Sequence, residues 1–161
     1  MDLSKAFDCL PHGLLIAELH AYGMSESACE LMASYLSNRK QRVKISNTRS
    51  DWLPLTKGVP QGSILGPLLF SIFMNDMFYF IERCALYNYA DDNSLAKSAP
   101  TRTELLTDLK HDSKIAIKWF DDNGMQVNPS KFQFMIASTK IDKDVTITIN
   151  ENTSITLEAN V

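Results

Sequence analysis

Cys84-Ala85-Leu86-Tyr87-Asn88-Tyr89-Ala90-Asp91-Asp92-Asn93-Ser94-Leu95-Ala96 is the stretch on which the fold turns. It reads as a short apolar strand, a tight acidic turn and a short return strand. Asp and Asn suit such turns because they tolerate left-handed backbone angles and bond to their own backbone. Two adjacent carboxylates on a turn fed by a buried strand are costly. At roughly 4 Å and an effective dielectric of about 20, like charges repel by about 4 kcal/mol. No Lys or Arg lies between Arg83 and Lys97 to offset this. Either a group from elsewhere neutralises the pair or one carboxyl is held protonated. A divalent cation is one answer, and it would need further oxygen ligands from outside the stretch.

The surrounding chain sets bounds. At 161 residues it is long enough for one domain with a real core. Its 45% hydrophobic and 22% charged residues are ordinary for a globular protein. The net charge is -3 and the sequence pI about 5.6, so the whole chain lacks the basic character of a nucleic-acid binder. Any such function must rest on local patches. Cys9, Cys29 and Cys84 are odd in number and widely spaced. That pattern argues for a reducing compartment and against a disulfide framework or a zinc site. His12, His20 and His111 form no HExxH pattern, and Met1 to Lys5 has no signal-peptide form. The most apolar run, Leu68 to Ile81, is interrupted by Asn75-Asp76 and is too short to span a membrane.

In chain order, Asp2 to Asp8 reads as a strand end or a turn. Pro11 suits a first helical position, with Leu14, Leu15, Ala17, Glu18 and Leu19 continuing an amphipathic helix that Gly23 stops. Ser25 is expected to cap a second helix with Ala28, Leu31, Met32, Tyr35 and Leu36 on one face. Arg39 to Ile45 and Trp52 to Leu55 read as two strands around the polar turn Ser46 to Asp51. Arg39, Lys40, Arg42, Lys44 and Arg49 are a basic cluster with two readings, a solvated hairpin face or contact with a phosphate backbone. Gly58 to Pro67 holds three of the six glycines and two of the six prolines, and is expected as a loop. A helix follows with Leu68, Leu69, Ile72, Phe73, Asp76 and Phe80. Thr101-x-x-Glu104 has the form of a capping box ahead of a long helix ended by Asn123-Gly124. Strands are expected at Phe132 to Ile136, Val145 to Ile149 and Ile155 to Leu157, the last two as a hairpin. This order is no regular βαβα alternation. It favours an α+β fold, a sheet with helices packed on one face.

Three blocks then stand together in order: D-x-x-x-x-F at Asp2 to Phe7, GVPQGSILGPLLF at Gly58 to Phe70, and YADD at Tyr89 to Asp92. Together they resemble the reverse transcriptases of the non-LTR (LINE-type) retrotransposons. Gly124 to Lys131, a turn ending in N-x-x-K, is similar to the family's next block. The resemblance implies a polymerase palm-like antiparallel sheet, with fingers and thumb largely missing. Residues 1–161 would then be a single partial reverse transcriptase domain, running from the first Asp block to just before the primer-grip region. Fingers, thumb and endonuclease regions of a longer polyprotein are expected beside it, and the truncated chain alone is expected to be impaired.

The same resemblance implies the chemistry. Nucleotidyl transfer from a dNTP to a primer 3'-hydroxyl would use two Mg²⁺ ions, with Mn²⁺ as an alternative. Asp2 and Asp91 match the two metal-bridging carboxylates, Asp92 the third acidic position, and the Leu3 carbonyl completes one shell. Phe7 matches the residue under the incoming sugar, where an aromatic ring excludes a 2'-hydroxyl. Pro60, Gln61 and Gly62 match the block that packs on the nucleotide and template base. Lys131 matches the residue that protonates the leaving pyrophosphate. Asp8, Tyr89, His12 and Asp121-Asp122 are assigned no chemistry. The implied partners are an RNA template, a DNA primer and dNTP, without a membrane, in an intracellular setting that is nuclear or cytoplasmic. The alternatives are a group II intron maturase-like enzyme and a non-catalytic remnant or nucleic-acid-binding module of a decayed element.

Overall fold

The structure, a computed structural model, describes Leu3 and residues 5–137, 146–150 and 153–156. The chain forms two compact units, one of Lys5–Asn75 and one that joins Leu3 to the chain from Asp76 onward.

The Lys5–Asn75 unit is built on helices α1 (Ala6–Cys9), α2 (His12–Ala21) and α3 (Glu26–Leu36). Pro11 is the N-cap of α2 rather than its first residue. It is held extended because it forms an antiparallel bridge with Lys57. Gly23, at φ 92°, stops the helix as expected. Ser25 does precede α3, but its hydroxyl makes no cap and instead faces the Ser27 hydroxyl at 3.3 Å. The buried face of α3 is Cys29 and Leu36; Leu31, expected in that stripe, is exposed. Leu10, Leu15, Leu19, Leu36, Leu69, Phe70 and Phe73 make the core of this unit.

After α3 come β1 (Lys40–Gln41), β2 (Lys44–Ile45), β3 (Thr48–Arg49) and β4 (Leu53–Pro54). The expected hairpin is present as two short antiparallel ladders, β1 with β4 and β2 with β3. Its turn is tighter than expected, Ser46-Asn47 alone, with Ser46 at φ 52°. Between the ladders the Ser50 hydroxyl accepts the Val43 N–H at 3.0 Å, in place of a backbone partner.

The glycine-rich loop closes back on α1. Val59 N–H donates to the Phe7 carbonyl at 2.8 Å, and Gly58 N–H to the Leu10 carbonyl at 2.8 Å. A Cβ at Gly58 would lie 2.7 Å from Asp8 Cα and 2.8 Å from the Phe7 carbonyl oxygen, on a backbone at φ 83°. The loop ends sooner than expected, since α4 (Leu65–Asn75) already contains Gly66 and Pro67. The first turn of a helix tolerates Pro because its N–H has no intrahelical partner. The Ser63 hydroxyl accepts the Gly66 N–H at 2.9 Å and so supplies a missing acceptor. At its other end α4 gives way to a 3-10 turn, Asp76–Tyr79, so Asp76 and Phe80 lie beyond the helix that was expected to include them.

In the second unit, β5 (Ala85–Tyr89) and β6 (Asp92–Ala96) pair antiparallel, followed by α5 (Arg102–Asp122). The Thr101 hydroxyl accepts the Glu104 N–H, as the capping pattern requires, and Gly124 at φ 69° ends the helix. Val127 bridges Leu3, and a 3-10 turn spans Pro129–Lys131. Phe132 to Ile136 is not the strand expected. Its period-two burial survives, Phe132 and Phe134 in and Gln133 and Met135 out, but with only an isolated bridge at Phe134. The core here, not a ladder, holds the segment: Phe132 and Phe134 cluster with Ile117, Ile147 and Ile149. β7 (Thr146–Asn150) and β8 (Thr153–Thr156) form the expected last hairpin. α5 packs against both β6 and β7. Helices and antiparallel hairpins make the α+β class expected, and the described strands pair in twos. Among the described residues no helix is long and apolar enough to cross a membrane.

The Gly58 contact generates a prediction. Gly58→Ala must strain the left-handed backbone and push Asp8 away, so it is expected to cost about 3 kcal/mol of stability in urea titration. Gly13→Ala, with nothing within 4 Å of its Cβ position, is the control and should be neutral or stabilising.

Candidate active site

The acidic turn is a two-residue loop. Tyr89 pairs with Asp92, leaving Ala90 and Asp91 at the tip. Such loops need a positive φ at their first central residue. The register puts that burden on Ala90, at φ 52°, and not on the Asp or Asn expected to carry it. A left-handed alanine costs about 1–2 kcal/mol, which the neighbouring bonds must offset. One of them is from Asn93, whose side chain is fully buried and whose amide donates to the Asp91 carbonyl at 2.9 Å. Asp91 is half-buried and Asp92 exposed. Tyr89, at the foot of the turn, is 86% exposed.

The base of the hairpin is fastened by α5. Asp112 has no exposed surface. It accepts the backbone N–H of Arg83 at 2.8 Å and of Cys84 at 2.7 Å, the two residues leading into β5. His111 Nδ1 meets its other oxygen at 3.0 Å. Burial alone would raise the Asp112 carboxyl, but the bonds from His111, the two amides and the Cys84 thiol outweigh it and hold it below 3.8. Cys84 shows the reverse effect. Burial first, and then the Asp112 charge, push its thiol up to about 12. It therefore stays protonated and unreactive at neutral pH.

One turn earlier on α5, Asp108 binds Arg83 at 3.3 Å and Lys97 at 2.7 Å. Lys97 also donates to the Arg83 carbonyl at 2.9 Å, tying the start of β5 to the end of β6. The Lys97 hydrogen bond holds Asp108 below its ordinary value. Arg83 and Lys97 are the cations that flank the acidic stretch in sequence, and both are engaged at its base. Among the described residues no Lys, Arg or His pairs with Asp91 or Asp92. Among the described residues the tip is left with two carboxylates and no counter-charge.

Sequence reasoning passed over Asp108 and Asp112. The signal was present for Asp112. It sits in the apolar stripe Leu105, Leu109, Ala116, Phe120, where a carboxylate has no place unless something donates to it.

The remaining expected site residues fall as follows. Phe7 is half-buried, its ring stacked on Phe70 with centroids 4.4 Å apart. The Gln61 amide donates to Asp8 at 2.9 Å, and Pro60 and Gly62 flank it in the loop that Val59 ties to Phe7. Phe7, Pro60, Gln61 and Gly62 are thus gathered in one unit. His12 Nε2 lies 2.7 Å from the Gly58 carbonyl, a loop-fastening contact. Lys131 is exposed on the 3-10 turn that Asn128 builds by accepting from Ser130 N–H and hydroxyl. Leu3 is buried in its bridge to Val127, in the same unit as the hairpin. Asp2 lies outside the described residues. Carboxylate oxygens are the hard donors that Mg²⁺-like cations take. Among the described residues, though, no group of three or more His, Cys, Asp or Glu converges on one point.

A family model described as reverse transcriptase (RNA-dependent DNA polymerase) matches residues 1–152. The chain belongs to the reverse transcriptase family. Within it, the relatives it is similar to include several non-LTR retrotransposon proteins. It is 31% identical, over 81% of its length, to the probable RNA-directed DNA polymerase from transposon BS of Drosophila melanogaster, covering 15% of that protein. It is 43% identical over 57% of its length to the corresponding X-element protein of the same species, covering 10% of it. The match to the Pol polyprotein of retrotransposable element R2 of Popillia japonica is 21% identical over 90% of the chain and 25% of that protein. This reverse transcriptase chain thus spans a quarter or less of these relatives.

Asp112 carries the prediction from this geometry. Asp112→Ala leaves two backbone donors without their acceptor and is expected to cost about 3 kcal/mol, with faster amide exchange in β5 and β6. Asp108 and Asp112 are both held below 3.8 when folded. Their contribution is therefore complete above about pH 4 and lost as pH falls through the folded values. Exchange in the hairpin should accelerate below that point in the parent and show no such step in Asp108→Asn/Asp112→Asn.

Proposed function

We propose that the chain is the palm portion of an RNA-directed DNA polymerase, a single domain over residues 1–161, joining a dNTP to a primer 3'-hydroxyl on an RNA template. The observation that carries this reading is the acidic tip. Asp91 and Asp92 stand side by side on a braced turn whose flanking cations are both engaged by Asp108. A strained turn that concentrates uncompensated negative charge is a poor structural device and a good holder for cations.

Asp91 and Asp92, with Asp2 and the Leu3 carbonyl, would hold two divalent cations, taken as Mg²⁺. When bound, these lower the pKa of the attacking hydroxyl and neutralise charge on the phosphates. The protein's own share is placement. Asn93 and Asp112 fix the turn, and the Leu3–Val127 bridge brings Leu3 into the hairpin's unit. Phe7, pinned on Phe70 and by the Gly58–Val59 contacts, is the wall that excludes a 2'-hydroxyl. Pro60, Gln61 and Gly62 form a rigid floor for the base pair. Lys131 donates a proton to the leaving pyrophosphate. RNA template, DNA primer and dNTP are the partners this reading requires.

Template–primer extension, run on the chain and on the chain extended at both ends, tests it. Asp91→Asn is expected to lower extension at least about 100-fold with the fold intact. A variant that extends as fast as the parent overturns the metal assignment. Phe7→Ala should gain ribonucleotide incorporation while keeping dNTP use. Unchanged sugar discrimination would remove Phe7 from its role and leave Asp91 untouched.

A further inference from the structure

The hairpin β1–β4 holds a charge imbalance that the polymerase site does not use. Arg39, Lys40, Arg42, Lys44 and Arg49 lie in or beside it and Lys57 three residues beyond β4, with Asp51 as the one acid among them, in a chain of net charge -3. Every residue from Ser37 to Pro54 is exposed. None of those six cations has an acidic partner among the described residues. Lys44 and Arg49 are direct cross-strand neighbours, an arrangement that disfavours the hairpin unless an anion lies against it. Lys40, Arg42 and Lys44 recur at every second position, which in an extended strand puts them on one face. Trp52 joins that face. It is 55% exposed and lies under the Arg42 guanidinium, 4.4 Å from the ring centroid.

We propose that this face is a grip for a single nucleic-acid strand, with phosphates on Lys40, Arg42, Lys44 and Arg49 and a base stacked at Trp52. An exposed aromatic ring set among cations matches how single strands are held without sequence preference, by backbone charge and base stacking together. An acidic protein surface would use the charges and leave the ring idle. An anionic membrane would draw on Val43, Ile45 and Leu53, which belong to the opposite alternation of the strands. That the strand is the polymerase's template or primer rests on the function proposed above; the grip itself does not.

The test is therefore run without catalysis, in EDTA. Fluorescence anisotropy follows a labelled 20-nucleotide single-stranded RNA of mixed sequence, its DNA counterpart and the matching duplex, over a salt series. Lys40→Gln/Arg42→Gln/Lys44→Gln is expected to weaken single-strand binding at least tenfold. The slope of log affinity against log salt should fall by about 2, as each phosphate contact contributes roughly 0.7. Trp52→Ala is expected to weaken it about five- to fiftyfold with the slope unchanged. The readout needs no metal and no catalysis, so a failed polymerase assignment leaves this result standing. Parent-like binding by the triple variant overturns the proposal. So does a preference for duplex, or binding to phosphatidylserine vesicles in place of RNA.

Discussion

A carboxylate withdrawn completely from water must be met by donors on every side, and Asp112 is such a group. Its donors are the two amides that lead into β5, the neighbouring imidazole and the Cys84 thiol. This demand links helix to hairpin. If α5 slid by one residue, Asp112 would face no amides and Asp108 would lose Arg83 and Lys97. The hairpin therefore leaves the helix at one register, and its tip comes to one place. The same contacts draw the local cations to the base, so the electrostatic asymmetry of the hairpin follows from the way it is anchored.

The other unit solves a similar problem without charge. Phe7 and the Gly58–Gly62 loop are held by main-chain bonds and by an approach too close for any side chain at Gly58. Asp91 in one unit, and Pro60, Gln61 and Gly62 in the other, are presented on turns or loops, while the fastening is done by neighbours with no assigned chemistry: Asp112 and Asn93 in one, Gly58 and His12 in the other. Precise placement on turns needs such support, because turns have little packing of their own.

Local chemistry made much of this legible. The acidic hairpin, the Thr101-capped helix with its Gly124 stop and the last hairpin follow from period, cap and turn residues that act within a few positions. The less legible features depend on distant parts of the chain. Phe132 to Ile136 alternates like a strand, yet its partners are side chains of α5 and β7. Ser25 has the composition of a cap, but its hydroxyl found Ser27. Nothing within Gly58 to Pro67 discloses that Gly58 rests on Asp8, fifty residues earlier. The candidate carboxylates were legible because adjacent acids on a turn are conspicuous. Asp112 was legible only through its place in the apolar stripe of α5; its residue type alone, one more Asp in a charged helix, does not set it apart.

Leu3 pairs with Val127, yet the residues that follow it, Lys5–Asn75, belong to the other unit. The unit that contains the acidic hairpin is thus discontinuous in the chain. From Arg83 to Asp112 its contacts are local and form quickly; the Leu3–Val127 bridge closes a loop of more than a hundred residues and carries a correspondingly larger entropic barrier. On a ribosome the N-terminal piece emerges first and must wait for its partner strand until the intervening unit has been made. Closing this unit at Leu3 and Val127 therefore requires the whole of Lys5–Asn75 to be spanned, whereas the hairpin and its anchor on α5 lie within thirty residues of each other.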